Sequence, residues 1–353
     1  MDSMFNRCMF TDGKKMSTDF TELAKSQKNL TFDTRYLSGF RPSIETPFNE
    51  IWLADPKDYC PEDIPSGNLY NNTYDKFIDD IEKTLEENLM KIDPNREYLF
   101  SHSSGSDSRI ISGTMAKMKR EGKHTFDNIK FVCWGRPEEP GFKKIMQRGG
   151  WDDWFIHDDT ISDAYDIGRT DISVDGWYPY TCQTNFWSEI EPKKYTLIAG
   201  VAGDAYQYPY NTWIHRYEYF GDRGETLHRQ SRIFDGVFCP FLDVKLLKLL
   251  MSMPSQWRKV PDTRLGRDKL RTDLVARLGM LNIPINNPCY NWNISPTRKK
   301  DMLLAYDSSK FKQDYKVKLD IKQLFENPIR SNESRIWAFA TTVYEKVLGR
   351  YDQ

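Results

Sequence analysis

The chain has 353 residues and a mass of 41.6 kDa, enough for about two structural units at roughly 150 residues each. Its 50 Lys and Arg and 51 Asp and Glu leave a formal net charge of −1, so bulk charge does not indicate a nucleic-acid or anionic-membrane partner. The hydrophobic share of 39% argues against disorder, and no run approaches the roughly 20 apolar residues of a membrane span. We expect a globular, cytoplasmic protein whose first residues lack the pattern of a secretory signal.

The six cysteines and five histidines are dispersed along the chain. No two cysteines form a CxxC pair, which disfavours zinc ribbons and redox pairs. Cys133 and Cys239 lie in apolar runs and are expected to be buried, reduced thiols, which fits a reducing cytoplasm. Any metal is therefore expected on carboxylates.

Regular structure is predicted mainly after residue 70. Residues 1–70 are rich in Pro, Gly, Asp and Asn, and we expect loops and short strands there. From residue 72, apolar residues recur at helical spacing as far as Leu89, which predicts an amphipathic helix. A short apolar strand, Tyr98 to Phe100, and a helix ending near Gly122 follow.

Strand and helix then alternate along the chain. This alternation predicts an α/β protein with a parallel sheet and helices on both faces. Beyond about residue 240 the chain is predicted to be mostly helical. The further predicted elements are strands at 129–134, 154–156 and 195–199, helices at 141–147, 244–253, 266–278 and from 295, and a closing helix whose apolar stripe covers 336–347.

A Ser/Gly-rich turn, SSGSDS at 103–108, joins the predicted strand to its helix. Such a turn surrounds an anion with backbone N–H groups and the positive end of the helix dipole. Asp107 would repel a bare phosphate, which suggests Mg²⁺ between the carboxylate and the phosphate. A polar turn in which Asp107 or Ser106 caps the helix remains an equal alternative.

A second turn, GVAGD at 200–204, follows the apolar strand at 195–199. It delivers Asp204 at the carboxyl end of a predicted parallel strand, where open α/β sheets bind ligands. Asp107 and Asp204 could therefore share one Mg²⁺ on a pyrophosphate. The alternative for Asp204 is an ordinary turn aspartate.

These motifs together resemble those of a known family. The loop at 103–108 resembles the SGGxDS loop of N-type ATP pyrophosphatases, and the remaining motifs resemble the synthetase domain of asparagine synthetases. The run AGVAGDA at 199–205 stands where that family has SGEGSDE. The segments PFLD at 240–243 and RDKLR at 267–271 are similar to the family's PFLD and KxxLR. The run YLSGF at 36–40 looks like the family's connector, the segment just before that domain.

The resemblance implies a domain division and a fold. Residues 1–70 would be an irregular N-terminal segment corresponding to the connector. Residues 71–353 would form an asparagine-synthetase-like domain, helical from about residue 240, with a PP-loop (adenine nucleotide alpha-hydrolase-like) fold. We expect no counterpart of the family's glutaminase domain, because Met1 is followed by Asp2 rather than by a nucleophilic cysteine. Glutamine is therefore not expected as nitrogen donor.

The resemblance also implies a set of site residues. Arg267, in the register of the family's lysine, or Lys269 would supply a cation, although a solvated helix face also explains this basic run. Asp175 would be a candidate base, although its segment also fits a surface turn. Val132 and Cys133 would flank adenine, or would simply belong to a core strand. The expected metal ligands are Asp107 and Asp204, and the expected ATP-binding residues are Ser103, Ser104, Gly105, Ser106, Asp107, Ser108, Val132, Cys133, Gly200 and Gly203.

Three functions follow as hypotheses. The first is a ligase that uses ATP and Mg²⁺ to adenylate a small-molecule carboxylate, releases pyrophosphate, and transfers the acyl group to ammonia or an amine. The second is a nucleotide- or nucleic-acid-modifying PP-loop enzyme, weakened by the absence of a CxxC pair. The third is a catalytically silent ATP-binding protein, suggested by Ser104 and Ala202, which replace family glycine or serine residues. Assembly into a homo-oligomer is left open.

Overall fold

Five parallel strands form the central sheet of the computed structural model of this chain. The amino-terminal residues form a separate, smaller sheet. The structure describes residues 9–18, 20–27, 49–55, 58, 68–133, 138–156, 190–201, 203, 231 and 234–283.

The amino-terminal part contains three two-residue strands, β1 (Phe10–Thr11), β2 (Met16–Ser17) and β3 (Trp52–Leu53). They pair antiparallel in the order β2-β1-β3. The short strands agree with the sequence prediction for this part of the chain. A seven-residue helix, α1 (Phe20–Ser26), was not expected there.

The central sheet has the strand order β6-β5-β4-β7-β8, and every neighbouring pair is parallel. Three of the four predicted strands begin and end within two residues of their expected positions, and the fourth, 129–134, is confirmed as far as Cys133. The fifth strand, β8, was not predicted. The strands are β4 (Tyr98–His102), β5 (Ile129–Cys133), β6 (Trp154–Ile156), β7 (Thr196–Ala199) and β8 (Gly236–Phe238).

Five helices longer than α1 accompany this sheet in the described part of the chain. The series α4-α3-α2-α5 is linked by packing of each helix on the next, and α6 packs on α3 and α2. The all-parallel sheet and its helices confirm the predicted α/β class. The helices are α2 (Tyr74–Leu89), α3 (Ser106–Arg120), α4 (Glu139–Gly149), α5 (Val244–Met251) and α6 (Lys269–Arg277).

The core explains why the central strands read as unbroken apolar runs. Both faces of β4 and β7 are covered, and every residue of β7 is buried. Parallel strands covered on both faces lose the alternation of polar and apolar residues. The two cysteines of the described core, Cys133 and Cys239, are buried thiols, as predicted.

The predicted helix over 266–278 begins later than expected. Residues 267 and 268 form a strand, β10 (Arg267–Asp268), which pairs antiparallel with β9 (Pro261–Asp262). Gly266 has a φ of 64°, in the left-handed region that favours glycine. Asp268 caps the helix, because its side chain accepts a hydrogen bond from the Arg271 N–H. The cap therefore sets the start of α6. The predicted helices after residue 283 lie outside the described residues.

The strand order fixes where a ligand cleft can form. From β4 the chain extends the sheet to one side through β5 and β6, and it then returns to the other side of β4 with β7 and β8. In an open α/β sheet, such a reversal opens a crevice at the carboxyl ends of the two strands that flank it. Here those ends are His102 of β4 and Ala199 of β7. No helix in the described ranges combines the length and hydrophobicity that a membrane span requires.

Candidate functional site

The loop at the end of β4 leads directly into the first turn of α3. Gly105 is the N-cap residue, with extended backbone angles, and the helix begins at Ser106. The loop is braced by its own hydroxyls, because the Gly105 N–H donates to Ser103 Oγ at 3.2 Å and Ser103 Oγ lies 3.2 Å from Ser108 Oγ. The first turn of a helix leaves its N–H groups without intrahelical acceptors, which is the geometry of an anion site.

The turn after β7 packs tightly against this loop. A Cβ added at Gly203 would lie 2.7 Å from Cγ of Asp107, and one added at Gly200 would lie 3.0 Å from Oγ of Ser108. Neither position has room for a larger side chain without a shift in its neighbours. The structure therefore brings together the two turns that the sequence singled out. Asp204 itself lies outside the described residues.

A positive group faces the loop aspartate. The guanidinium of Arg271, on α6, lies 3.5 Å from Oδ1 of Asp107. Arg271 is held in place by Asp268, whose Oδ2 accepts from its Nε at 2.6 Å. The side chains of Arg271 and Asp107 are only 14% and 23% exposed, so solvent screens this pair less than a surface pair. The RDKLR motif contains Arg271, but sequence reasoning chose its neighbours.

Lys269 is engaged in a different cluster. Its ammonium donates to the carboxylate of Asp273 and lies 4.6 Å from the centre of the Tyr74 ring. Arg264 and the Tyr74 hydroxyl also donate to Asp273. Burial alone would raise the pKa of Asp273, but these three hydrogen bonds lower it below its ordinary value. The cluster ties α6 to α2.

The other two proposed catalytic residues are not described in full. Arg267 lies on β10, and its side chain is outside the described part of the structure. Asp175 lies outside the described residues altogether. The roles proposed for these two residues stay predictions.

Val132 and Cys133 are core residues in this structure. Val132 is 1% exposed and Cys133 is fully buried. Cys133 pairs in register with His102 on one side and Ile156 on the other. Both side chains are therefore buried on the faces of the sheet, and an adenine ring would meet main-chain groups or residues beyond the strand end.

Ser104 turns its backbone toward the interior. Its N–H donates to Oε2 of Glu138 at 2.6 Å, and its carbonyl oxygen accepts from Nε of Arg109 at 2.9 Å. Burial raises the pKa of Glu138 to about 7, although the Ser104 N–H and the positive charge of Arg109 oppose the shift. Sequence reasoning missed both charged residues. Their residue types, an acid and a base, do not indicate burial, and no local motif marks either position.

His102 lies directly beneath the loop. It is fully buried, its Nε2 lies 2.9 Å from Oγ of Ser112, and its ring packs against Phe100, Phe131 and Phe142. Burial, followed by the nearby charge of Arg109, lowers the pKa of His102 to about 3. The imidazole is therefore neutral at physiological pH and acts as a core residue.

Asp107 presents carboxylate oxygens, which hard cations prefer as ligands, beside helix N–H groups that favour a phosphate. Within the described ranges, no three His, Cys, Asp or Glu side chains converge as metal ligands. A Mg²⁺ held here would therefore take Asp107, a second ligand from the turn that contains Gly203, and oxygens of the nucleotide.

Comparison with protein-family models and curated proteins identifies no relative of this chain. The chain matches no protein-family model, and no curated protein matches it. The resemblance to the synthetase domain of asparagine synthetases rests on the motifs and stays a hypothesis.

Proposed function

We propose that this protein is an ATP-dependent, AMP-forming ligase with an adenine nucleotide alpha-hydrolase-like (PP-loop) fold. It adenylates a small-molecule carboxylate and transfers the acyl group to ammonia or an amine. The observation that carries the proposal is the packing of the turn after β7 on the Ser/Gly loop at the point where the strand order reverses. That is where an open α/β sheet binds its ligand.

The loop would hold the β and γ phosphates of ATP. The N–H groups at the first turn of α3 and the hydroxyls of Ser103, Ser106 and Ser108 supply donors there, and the helix dipole favours negative charge. The glycines at 200 and 203 keep the opposite wall close without adding side chains. Mg²⁺, when held by Asp107 and Asp204, would neutralise charge on the departing pyrophosphate.

The reaction then proceeds by two displacements. A carboxylate oxygen attacks the α phosphorus, the bond between the α and β phosphates breaks, and pyrophosphate leaves. The amine nitrogen next attacks the acyl carbon, the bond to AMP breaks, and the amine gives up a proton. Asp175 is the proposed acceptor of that proton, and Arg267 or Lys269 the proposed cation beside the acyl group. Arg271 adds a cation that reaches the loop itself.

The products of ATP cleavage test this proposal. Purified protein is incubated with ATP, Mg²⁺ and a panel of carboxylates and amines, and the products are followed by phosphorus NMR. We expect AMP and pyrophosphate, formed only when an accepted carboxylate is present. Formation of ADP and orthophosphate, or no cleavage with any pair in the panel, would contradict the proposal.

One observation favours a second candidate, a catalytically silent ATP-binding protein. The Arg271 guanidinium lies against the carboxylate that would bind Mg²⁺, and a cation at that position competes with the metal. This candidate predicts that ATP binds equally well with and without Mg²⁺ and is recovered unchanged. Calorimetric titration with ATP, in Mg²⁺ and in EDTA, separates the two candidates.

A further inference from the structure

A pair of buried, oppositely charged side chains holds one residue of the loop. Glu138 accepts a hydrogen bond from the Ser104 N–H, and Arg109 donates one to the Ser104 carbonyl oxygen. Ser104 and Arg109 are fully buried, and Glu138 is 2% exposed. Hydrogen bonds to charged groups are stronger than neutral ones, so this residue is fixed more firmly than a solvated loop would be.

The same pair connects the loop to two other parts of the fold. Glu138 is the N-cap residue of α4. Arg109 also donates to the carbonyl oxygens of Met280 at 3.3 Å and Ile283 at 2.6 Å, just beyond α6. The loss of hydration of each buried side chain is therefore offset by the opposite charge of the other side chain or by the backbone groups that it contacts.

We propose that Glu138 and Arg109 are positioning residues for the phosphate loop. They draw both backbone polar groups of Ser104 into the interior, so the Ser104 N–H is not available to a bound anion. The loop is thereby fixed with the first-turn N–H groups of α3 as its anion-binding donors. This inference rests on the proposed function of the loop as a phosphate site, and it goes beyond that function in assigning the residues that shape the loop.

Titration of the protein with inorganic pyrophosphate and Mg²⁺ at pH 8, where the Glu138 carboxyl is ionised, tests this inference directly. In Glu138→Gln the side chain keeps its shape, but the hydrogen bond from Ser104 loses its charged acceptor and Arg109 loses its counterion. We expect a pyrophosphate dissociation constant raised at least about tenfold, the effect of losing roughly 1.4 kcal/mol. Ser104 should also show a changed amide proton shift in NMR spectra.

Glu139→Gln is the matched control, because it removes the same charge from the next residue. Glu139 is partly exposed and pairs with Lys143 across one helical turn at 2.5 Å. We expect its pyrophosphate affinity to stay within about twofold of wild type, because an exposed ion pair contributes little. Equal affinities for wild type and Glu138→Gln, or equal losses in both variants, would overturn the inference.

A second variant covers the case in which Glu138→Gln does not fold. Glu138→Asp keeps the charge but shortens the side chain, and a smaller loss of pyrophosphate affinity with an unchanged melting temperature is expected. Unchanged affinity in a folded Glu138→Asp would overturn the inference in that case.

If wild type binds pyrophosphate but does not cleave ATP between the α and β phosphates, the proposed reaction fails and the positioning inference stands. If wild type binds no pyrophosphate, both fail.

Discussion

Arg271 and Lys269 lie two residues apart on α6 and contact different groups. Residues three and four apart share a helix face, whereas residues two apart do not. Arg271 accordingly pairs with Asp268 and reaches Asp107, and Lys269 pairs with Asp273. Only one of the two cations can therefore act on a ligand at the loop.

We predict that Arg271→Ala lowers the rate of AMP formation by about 10²-fold, the scale for losing one group that stabilises developing charge. The reason is that its guanidinium stands beside the phosphate loop and is already held in position by Asp268. Steady-state AMP formation at saturating Mg²⁺ is the measurement.

Lys269→Ala is the comparison variant for this prediction. The Lys269 side chain is 43% exposed and its ammonium is already paired with Asp273, so we expect a smaller loss of rate than in Arg271→Ala. The opposite ranking of the two variants would show that the bound substrate recruits Lys269 and that Arg271 only orders the empty loop.

The sequence was sufficient to place the loop but not the charged residues that surround it. A Ser/Gly turn between an apolar strand and a helix is a local pattern, and local patterns determine local structure. Whether Arg271 or Lys269 faces the loop depends on how α6 docks, which no local pattern contains. Glu138 lies 34 residues from Ser104 in sequence, and its role follows only from the parallel pairing of the strands that precede them.

At the scale of elements, the contact between α3 and α6 sets the geometry of the site. These helices carry Asp107 and Arg271, and they approach closely because α3 has a glycine at the crossing. A Cβ added at Gly113 would lie 3.0 Å from Cβ of Leu278, just after α6, which is tighter than ordinary contact. Leu278 is 5% exposed and has little room to move.

We predict that Gly113→Val destabilises the protein by about 1 to 3 kcal/mol, as expected when a well-packed contact is overfilled. Urea unfolding followed by circular dichroism gives the free energy of unfolding. Arg120→Val places the same side chain on an exposed position of α3 and should change stability by no more than about 0.5 kcal/mol. Gly113→Val with wild-type stability would mean that the two helices separate at no cost.

The fold was predictable where an element is long or strongly periodic. Helix α2 follows from the helical period of its apolar residues, and strands β4 to β7 follow from their short apolar runs. The short β8 (Gly236–Phe238) was missed, since three residues beginning with glycine carry no periodic signal and the strand exists through its pairing with β7. The late start of α6 depends on the pairing of β10 with β9, which is tertiary information.

At the scale of the whole molecule, two buried groups beneath the loop make stability depend on pH in opposite directions. The pKa of Glu138 is raised from 4.5 to about 7, so the folded state binds more protons than the unfolded state between these values. Stability from this group is therefore lost as pH rises through that window. The pKa of His102 is lowered from 6.5 to about 3, so stability from His102 is lost as pH falls below 6.5.

Comparing wild type with Glu138→Gln isolates the first effect, because both proteins keep His102 and its contribution cancels. We predict that the unfolding free energy of wild type minus that of Glu138→Gln falls by on the order of 3 kcal/mol between pH 4.5 and 8, at 1.36 kcal/mol per unit of pKa shift. The fall arises because the wild-type carboxyl must give up its proton in a buried site, whereas glutamine does not titrate. Urea unfolding at half-unit pH intervals measures the difference. If this difference in unfolding free energy stays flat or rises with pH, Arg109 and the Ser104 N–H already compensate in full for burial of the carboxylate. The ionised Glu138 would then not destabilise the protein at neutral pH.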